Sequence, residues 1–346
     1  MAVAYTDTVL NYSGALKAKT DNSTRLLDAV FSRGRKFGDG VVSTGVRKVN
    51  ALEFALASSY NIGAGSQPAI SEQASVTAVI GDPVTRSQGE NYIQIFQEAV
   101  AVSYLKQSAV GQMAGINVAG QYSNVTDEFD FQIAAKIAKM KKDLNYTLIN
   151  GTKRKATTSA IAAQSGGLVA GITTNAVANA FSKATFQAAM VDAMAHGFSL
   201  NGHELWVNPA DLEKVSAEYT GANGFGLPAS RTEGGEAITS ILTNFGTVRV
   251  DYDAMIPEGT YLLLNLADIA IAELDMPNKG NWFYETLAKT GAAEQGQVYG
   301  QAGIDFGAEW SHIKFTAPTV GDDDENGTDD ENGTGDENGT GDENEV

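Results

Sequence analysis

The sequence predicts an α+β protein, in which an extended arm precedes one long helix and a mixed body follows. Residues 49–104 combine strand-like ends with a middle rich in glycine and proline. An apolar stripe at spacings of three and four then runs over about 25 residues, which is typical of an amphipathic helix. Beyond it, helical and alternating patterns succeed one another up to an acidic repeat.

The arm begins with an ambiguous segment. Residues 50–61, NALEFALASSYN, favour a helix by composition, but no clear cap or stop encloses them. Residues 92–104 are rich in β-branched and aromatic side chains and predict a strand. Residues 62–89 hold four glycines and two prolines, which predict an open loop. If the two ends pair, they form a two-stranded ribbon, which is marginal in water and needs a partner surface.

The helix that follows is the strongest local prediction. Its apolar stripe consists of Phe129, Ile133, Ile137, Met140, Leu144 and Leu148. Lysines occupy the opposite face, Asn124 or Thr126 can cap the start, and Asn150 and Gly151 supply a stop. At 1.5 Å per residue the helix would span roughly 37 Å.

The body behind the helix predicts alternating helices and strands around one sheet. Residues 182–198 predict a helix capped by Ser182, and Pro209 opens another that runs to about Tyr219. Residues 220–236 are too rich in glycine to be regular. Strands of this sheet are predicted at residues 203–208, 247–253 and 261–265. Residues 282–315, which lie outside this body, predict further strands with turns at Gly291, Gly296 and Gly303.

The side-chain inventory offers little chemistry. Cysteine is absent, and His196, His203 and His312 have no spacing typical of a zinc site. No phosphate-binding loop, nucleophile elbow or dinucleotide fingerprint occurs. The most apolar window, residues 260–274, is too short to span a membrane, and the first residues lack the pattern of a secretory signal. The sequence therefore predicts no enzyme, no cofactor and no membrane association.

Several strings, taken together and in order, carry a family resemblance. They are VNALEFALASSYN (49–61), SQPAISEQASVTA (66–78), TRSQ (85–88), QIFQEAVAVSY (94–104), DEFDFQIAAK (127–136), LINGTKRKAT (148–157) and FYETLAKTGAAEQGQVYGQAG (283–303). The chain resembles the major head protein family of certain tailed bacteriophages. The resemblance implies the Hong Kong 97 type capsid fold.

The resemblance also implies a division of the chain. Its parts would be an N-terminal arm (1–48), an extended loop lying across a neighbouring subunit (49–105), a peripheral domain (106–170 and 275–320) with a spine helix (124–150), an axial domain (171–274) and an acidic tail (321–346). The glycine-rich residues 220–236 would form a loop near the capsomer axis, although an ordinary surface loop is an equal alternative.

The implied function is that of a major capsid protein. Pentamers and hexamers of the chain would close as an icosahedral shell in the virion, made in the host cytoplasm, around double-stranded DNA. Portal, scaffolding and cement proteins are the other implied partners. Within the extended loop, Phe54, Ile93, Ile95 and Phe96 are the expected assembly contacts, so that replacing the three residues on its second strand by Ala should impair assembly more than folding.

A basic run follows the long helix. Lys153, Arg154 and Lys155 would touch packaged DNA without sequence preference, or else form a solvated turn or pair with carboxylates of an adjacent subunit. The sequence alone favours the second group of roles.

The acidic tail carries most of the net charge of −18. Residues 321–346 hold 12 of the 42 acidic residues and none of the 24 basic ones, so disorder is predicted. A calcium loop beginning at Asp322 fails because Gly333 stands where a bidentate Glu is needed. Because packaged DNA would repel these carboxylates, we expect the tail on the outer surface. The tail also favours the alternative function, an extracellular acidic binding or adhesion protein.

Overall fold

The computed structural model of the chain describes residues 22–37, 43–62, 66–77, 81, 83–104, 128–220 and 239–317. Four sequence predictions fall outside these ranges. They concern the start of the N-terminal arm, the two candidate caps of the long helix, the glycine-rich loop beyond residue 220 and the acidic tail.

Six α-helices and fifteen β-strands lie within the described ranges. The helices are α1 (Arg25–Arg33), α2 (Glu72–Ser75), α3 (Glu128–Asn150), α4 (Leu168–Gly171), α5 (Lys183–Ala195) and α6 (Leu212–Thr220). The strands are β1 (Lys36–Phe37), β2 (Ser43–Thr44), β3 (Val46–Val49), β4 (Glu53–Tyr60), β5 (Arg86–Tyr92), β6 (Gln94–Ser103), β7 (Ala176–Val177), β8 (His203–Val207), β9 (Ser240–Thr243), β10 (Gly246–Tyr252), β11 (Thr260–Asn265), β12 (Ala270–Leu274), β13 (Phe283–Thr286), β14 (Ala293–Asp305) and β15 (Ile313–Thr316).

The strands form two large sheets. The three strands predicted for the body, β8, β10 and β11, lie together in one of them, as the sequence indicated. The first has six strands in the order β7-β15-β11-β8-β10-β9. The second has the order β13-β14-β12-β3, with β6 also paired to β14. Each sheet mixes parallel and antiparallel pairs. Helices and strands are therefore combined as in an α+β protein, which confirms the predicted class.

Helix α3 forms the spine that was predicted. Its stripe is buried at Ile133, Met140, Leu144 and Leu148 and packs on the inner face of the five-stranded sheet. The helix ends at Asn150, as the stop signal indicated. Two lysines on its flank, Lys136 and Lys139, bind Glu98 of β6, the first at 2.8 Å. The two hydrogen bonds lower the pKa of Glu98, and the one from Lys136 has the larger effect.

The two ends of the predicted loop pair with each other only at the base, where Glu53 lies opposite Tyr92. The ambiguous segment is a strand, β4, and its partner is β5, whose first four residues lie in the region predicted to be an open loop. The strand predicted at residues 92–104 is present as β6 and pairs antiparallel with ten residues of β14. It does so because alternate side chains, Phe96, Val100 and Val102, are buried under α3. Only the part up to Tyr92 therefore stands apart as a ribbon.

The body behind α3 follows the prediction closely up to β11. Helix α5 begins after Ser182, whose side chain and that of Thr185 form a capping box. The predicted turn at Gly291 is present, but Gly296 and Gly303 lie inside β14. They are glycines because a Cβ would meet the Tyr284 ring at one position and the Phe54 ring at the other.

Three strands belong to sheets that extend across the predicted domain limits. β15, expected in the peripheral domain, lies in the six-stranded sheet between β7 and β11. β12, expected in the axial domain, lies in the five-stranded sheet beside β3, which was expected in the arm. The limits of the implied domains stay a prediction.

A buried histidine lies where the two sheets meet. His312 has no exposed surface and immediately precedes β15. Its Nδ1 accepts a hydrogen bond from the backbone amide of Asn265, at 3.1 Å, so the proton of the neutral ring lies on Nε2. Nε2 donates to the carbonyl of Phe306, 2.9 Å away and just after β14. The neutral ring thus bridges a strand end of each sheet.

We expect acid to weaken the fold through His312. Burial lowers the pKa of His312 to about 4, although the carboxylates of Asp268 and Glu309 act to raise it. In the unfolded chain the same side chain titrates near 6.5. Between these values the unfolded state binds more protons, so the free energy of unfolding should fall by about 3 kcal/mol as the pH drops from 6.5 to 4. His312→Gln removes this titration and should lose less stability. Urea unfolding of the unassembled subunit near pH 7 and pH 4.5 measures both losses, and equal losses would contradict the expectation.

Candidate assembly surface

A two-stranded ribbon is the most exposed described part of the fold. β4 and β5 pair only with each other among the described strands, from Glu53 opposite Tyr92 to Tyr60 opposite Arg86. The register shifts between Ala55 and Ser58, which marks a bulge. The tip beyond the strands contains α2, a short helix capped by the side chain of Ser71.

The tip of the ribbon presents apolar side chains to solvent. Ile62, Ile70, Val76 and Val84 are each more than half exposed, Val76 at 83%. Full burial of one such side chain contributes about 1.5–3 kcal/mol. A surface that collects several of them is typical of a protein interaction site.

The base of the ribbon, unlike its tip, is fixed to the body. Strand alternation places Phe54 and Asn91 on one face, which is buried. Phe54 packs over Gly303 in β14, where a Cβ would lie 2.8 Å from the ring. The Asn91 amide donates to the carbonyls of Gly166 and Ile304, at 2.9 and 2.7 Å, and its oxygen accepts from the amide of Gly166 at 2.8 Å. A buried amide satisfied in this way is strongly directional.

Arg47 reinforces the same base. Its guanidinium donates to the carbonyl of Ala55, at 2.9 Å, and to Asp305 at 2.7 Å. The Asp305 side chain is fully buried, so removal of Arg47 would leave a carboxylate without its cation. The ribbon strand β4 is therefore tied to the end of β14 by charge as well as by packing.

The opposite face of the base meets the basic run. Lys155 binds Glu53 at 2.8 Å, and Lys153 lies 3.8 Å from Glu90. The Tyr92 hydroxyl donates to Glu90 at 2.6 Å, and this hydrogen bond lowers the pKa of Glu90. Both lysine ammonium groups also lie within 6 Å of the Tyr92 ring, at 5.5 and 5.8 Å.

The four predicted loop contacts divide into two groups. Phe54, Ile93 and Phe96 are buried within the subunit, so they stabilise the fold and do not form the exposed contact that was expected. They are buried because β6 belongs to the body and the ribbon base packs on β14. Ile95 points away from this core and is 60% exposed, so it stays a candidate contact.

The three basic residues also differ from one another. Lys153 and Lys155 face carboxylates of their own chain, a pairing that the sequence had placed in an adjacent subunit. Arg154 forms no ion pair with any described residue, and its Nε donates to the carbonyl of Ala162 at 2.9 Å.

Sequence reasoning missed the residues that fix the ribbon. Arg47, Asn91 and Gly303 show no local pattern, because each acts on a segment distant in the chain. A signal for the tip was present, since Ile70 and Val76 are apolar residues in a segment otherwise built of small and polar ones.

No group of three or more metal-ligating side chains occurs among the described residues. In the same part of the chain, no helix has the length and apolar character needed to cross a membrane.

Comparison with solved structures shows the fold. The capsid asymmetric unit of cyanophage A-1(L) is similar with a TM-score of 0.57 at 13% identity, over 88% of this chain and 95% of that chain. The capsid of a native GTA particle gives 0.54 at 12%, over 88% and 93%. The SrpI encapsulin of Synechococcus elongatus PCC 7942 gives 0.53 at 12%, over 91% and 96%. The implied Hong Kong 97 type fold is thereby confirmed.

Comparison of sequences identifies the family. No curated protein matches the chain. The SU10 major capsid protein family, however, matches residues 4–319, nearly the whole chain. This match decides against the alternative of an extracellular binding protein. The chain belongs to the SU10 major capsid protein family and is a structural, shell-forming protein of a tailed bacteriophage head, not an enzyme.

Proposed function

We propose that the ribbon of each subunit lies on a neighbouring copy and that these contacts join pentamers and hexamers into the closed shell. The observation that carries this proposal is the contrast within the ribbon. Its base is buried against β14, whereas Ile70 and Val76 at the tip are exposed. A fixed base gives the ribbon a defined point of departure from the body, and an apolar tip is stabilised only when another surface covers it.

Repetition makes small contacts sufficient. Every copy in a symmetric shell offers the same surface and receives the same contact. Burial of two or three tip side chains contributes only a few kcal/mol per subunit. Because every subunit contributes, the sum over a shell is large while each single contact stays reversible during assembly.

The remaining partners follow from the head of a tailed phage. We propose that the shell encloses double-stranded DNA, forms in the host bacterial cytoplasm around a portal, and involves scaffolding or cement proteins. Of the basic run, Arg154 is best suited to non-specific contact with DNA, because no described carboxylate neutralises it.

A charge at the tip should block assembly without unfolding the subunit. Val76→Asp places a carboxylate in the contact and leaves the subunit core untouched, because this side chain is 83% exposed. Particle yield by electron microscopy should fall at least tenfold, with unchanged thermal unfolding of the unassembled subunit. Val76→Thr, which keeps the shape without a charge, is the control and should assemble. Normal particles from Val76→Asp would refute the proposed role of the tip.

Substitutions at two adjacent residues of β6 should affect folding and assembly separately. Phe96→Ala empties a buried site under α3 and should lower the free energy of unfolding by about 3–5 kcal/mol. Ile95→Ala, on the exposed face, should change it by less than about 0.5 kcal/mol but reduce particle yield. Urea unfolding and particle counts measure both. Full particle yield from Ile95→Ala would remove this residue from the assembly contacts.

A further inference from the structure

We infer that Lys153 and Lys155 are positioning residues for assembly: they brace the ribbon through Glu53 and Glu90 and thereby set where its tip lands on the next subunit. This inference rests on the proposed function of the ribbon. It assigns to these two lysines of the basic run a role within their own subunit, in place of the contacts with DNA or with an adjacent subunit that the sequence had suggested.

The geometry places the brace opposite the buried anchor. Phe54 and Asn91 hold one face of the ribbon base to β14 and to Gly166. Glu53 and Glu90 lie on the other face, one on each strand, because strand residues alternate. The lysines meet both carboxylates from a single short segment after α3. Each strand of the ribbon therefore has its own ionic contact with the segment that follows the spine.

The anchor and the brace have different physical strengths. The anchor is buried and sterically tight, so it fixes the point at which the ribbon leaves the body. The brace is exposed, with Lys155 at 58% and Glu53 at 42%, so salt screens it and each pair shifts an equilibrium by a factor of about five at most. Such a contact favours one direction of the ribbon, but it is too weak to determine whether the subunit folds.

A small change in the direction of the ribbon at its base becomes a larger displacement at its tip. Eight residues of β4 extend about 27 Å at roughly 3.4 Å per residue. A rotation of roughly 10° at the base would then move the end of the strand by about 5 Å, which is the spacing of neighbouring strands in a sheet. The brace thus controls whether apolar tip residues meet the same positions on the neighbour in every copy.

The same pairing makes the lysines poor DNA contacts. Binding to phosphate gains affinity by releasing counterions from cations and DNA. Lys155 already has a carboxylate at 2.8 Å, and Glu53 raises its pKa through this hydrogen bond. A bound phosphate would have to compete with Glu53 for the same ammonium group.

A charge exchange tests the brace. Lys155→Glu and Glu53→Lys each replace attraction by repulsion, and the double variant restores an ion pair of reversed polarity. Lys279→Glu, Glu285→Lys and their double form the matched control, since this exposed pair has the same 2.8 Å separation and joins the turn before β13 to β13 itself. Hydrogen exchange of β4 and β5 amides in the unassembled subunit and the particle size distribution by electron microscopy are the two measurements.

Each single variant at the ribbon should raise amide exchange in β4 and β5 by up to about fivefold and broaden the particle distribution. Lys155→Gln should do the same to a smaller extent, and the double variant should restore both measurements. The control pair should change neither. Single variants that match the control, or a double variant that fails to restore β4 and β5, would overturn the brace. Failure of the proposed tip contact would appear as normal particles from Val76→Asp. The exchange measurement is made on the unassembled subunit, so it tests the brace independently of that contact.

Discussion

The fit of the ribbon base onto β14 is the contact on which the rest of the structure depends. Phe54 reaches its buried position only because residue 303 has no side chain. Asn91 then hydrogen-bonds to two backbone segments that are distant in sequence, at residues 166 and 304. Without this base the ribbon would be an isolated hairpin, which is marginal in water. With it, an exposed apolar tip has a fixed origin.

Strand β14 connects the ribbon base to the remainder of the subunit. Over 13 residues it pairs with β6 on one side and with β13 and β12 on the other. β6 in turn packs under the spine helix and binds two of its lysines through Glu98. A force on the ribbon tip therefore passes through packed and hydrogen-bonded elements to the spine, which suits a protein whose function is mechanical.

The sequence predicted those elements whose cause is local. α3 and α5 were found because apolar periodicity and end signals lie within the helix itself, as with Ser182 and Asn150. The partner of β4 was not found, because strand pairing depends on contacts that periodicity does not encode. Phe54, Ile93 and Phe96 were assigned to the surface for the same reason: the residues that cover them, such as Gly303, lie far along the chain. Family resemblance supplied the fold and function that composition alone would have left open.

Comparison of hydrogen exchange in the unassembled subunit and in intact particles tests the central claim most directly. The account predicts that the ribbon base, at residues 53–55 and 90–92, is protected in both states. It predicts that residues 66–77 at the tip exchange rapidly in the free subunit and become protected in the particle, because only a neighbouring copy covers them. A tip already protected in the free subunit, or equally unprotected in both states, would contradict it.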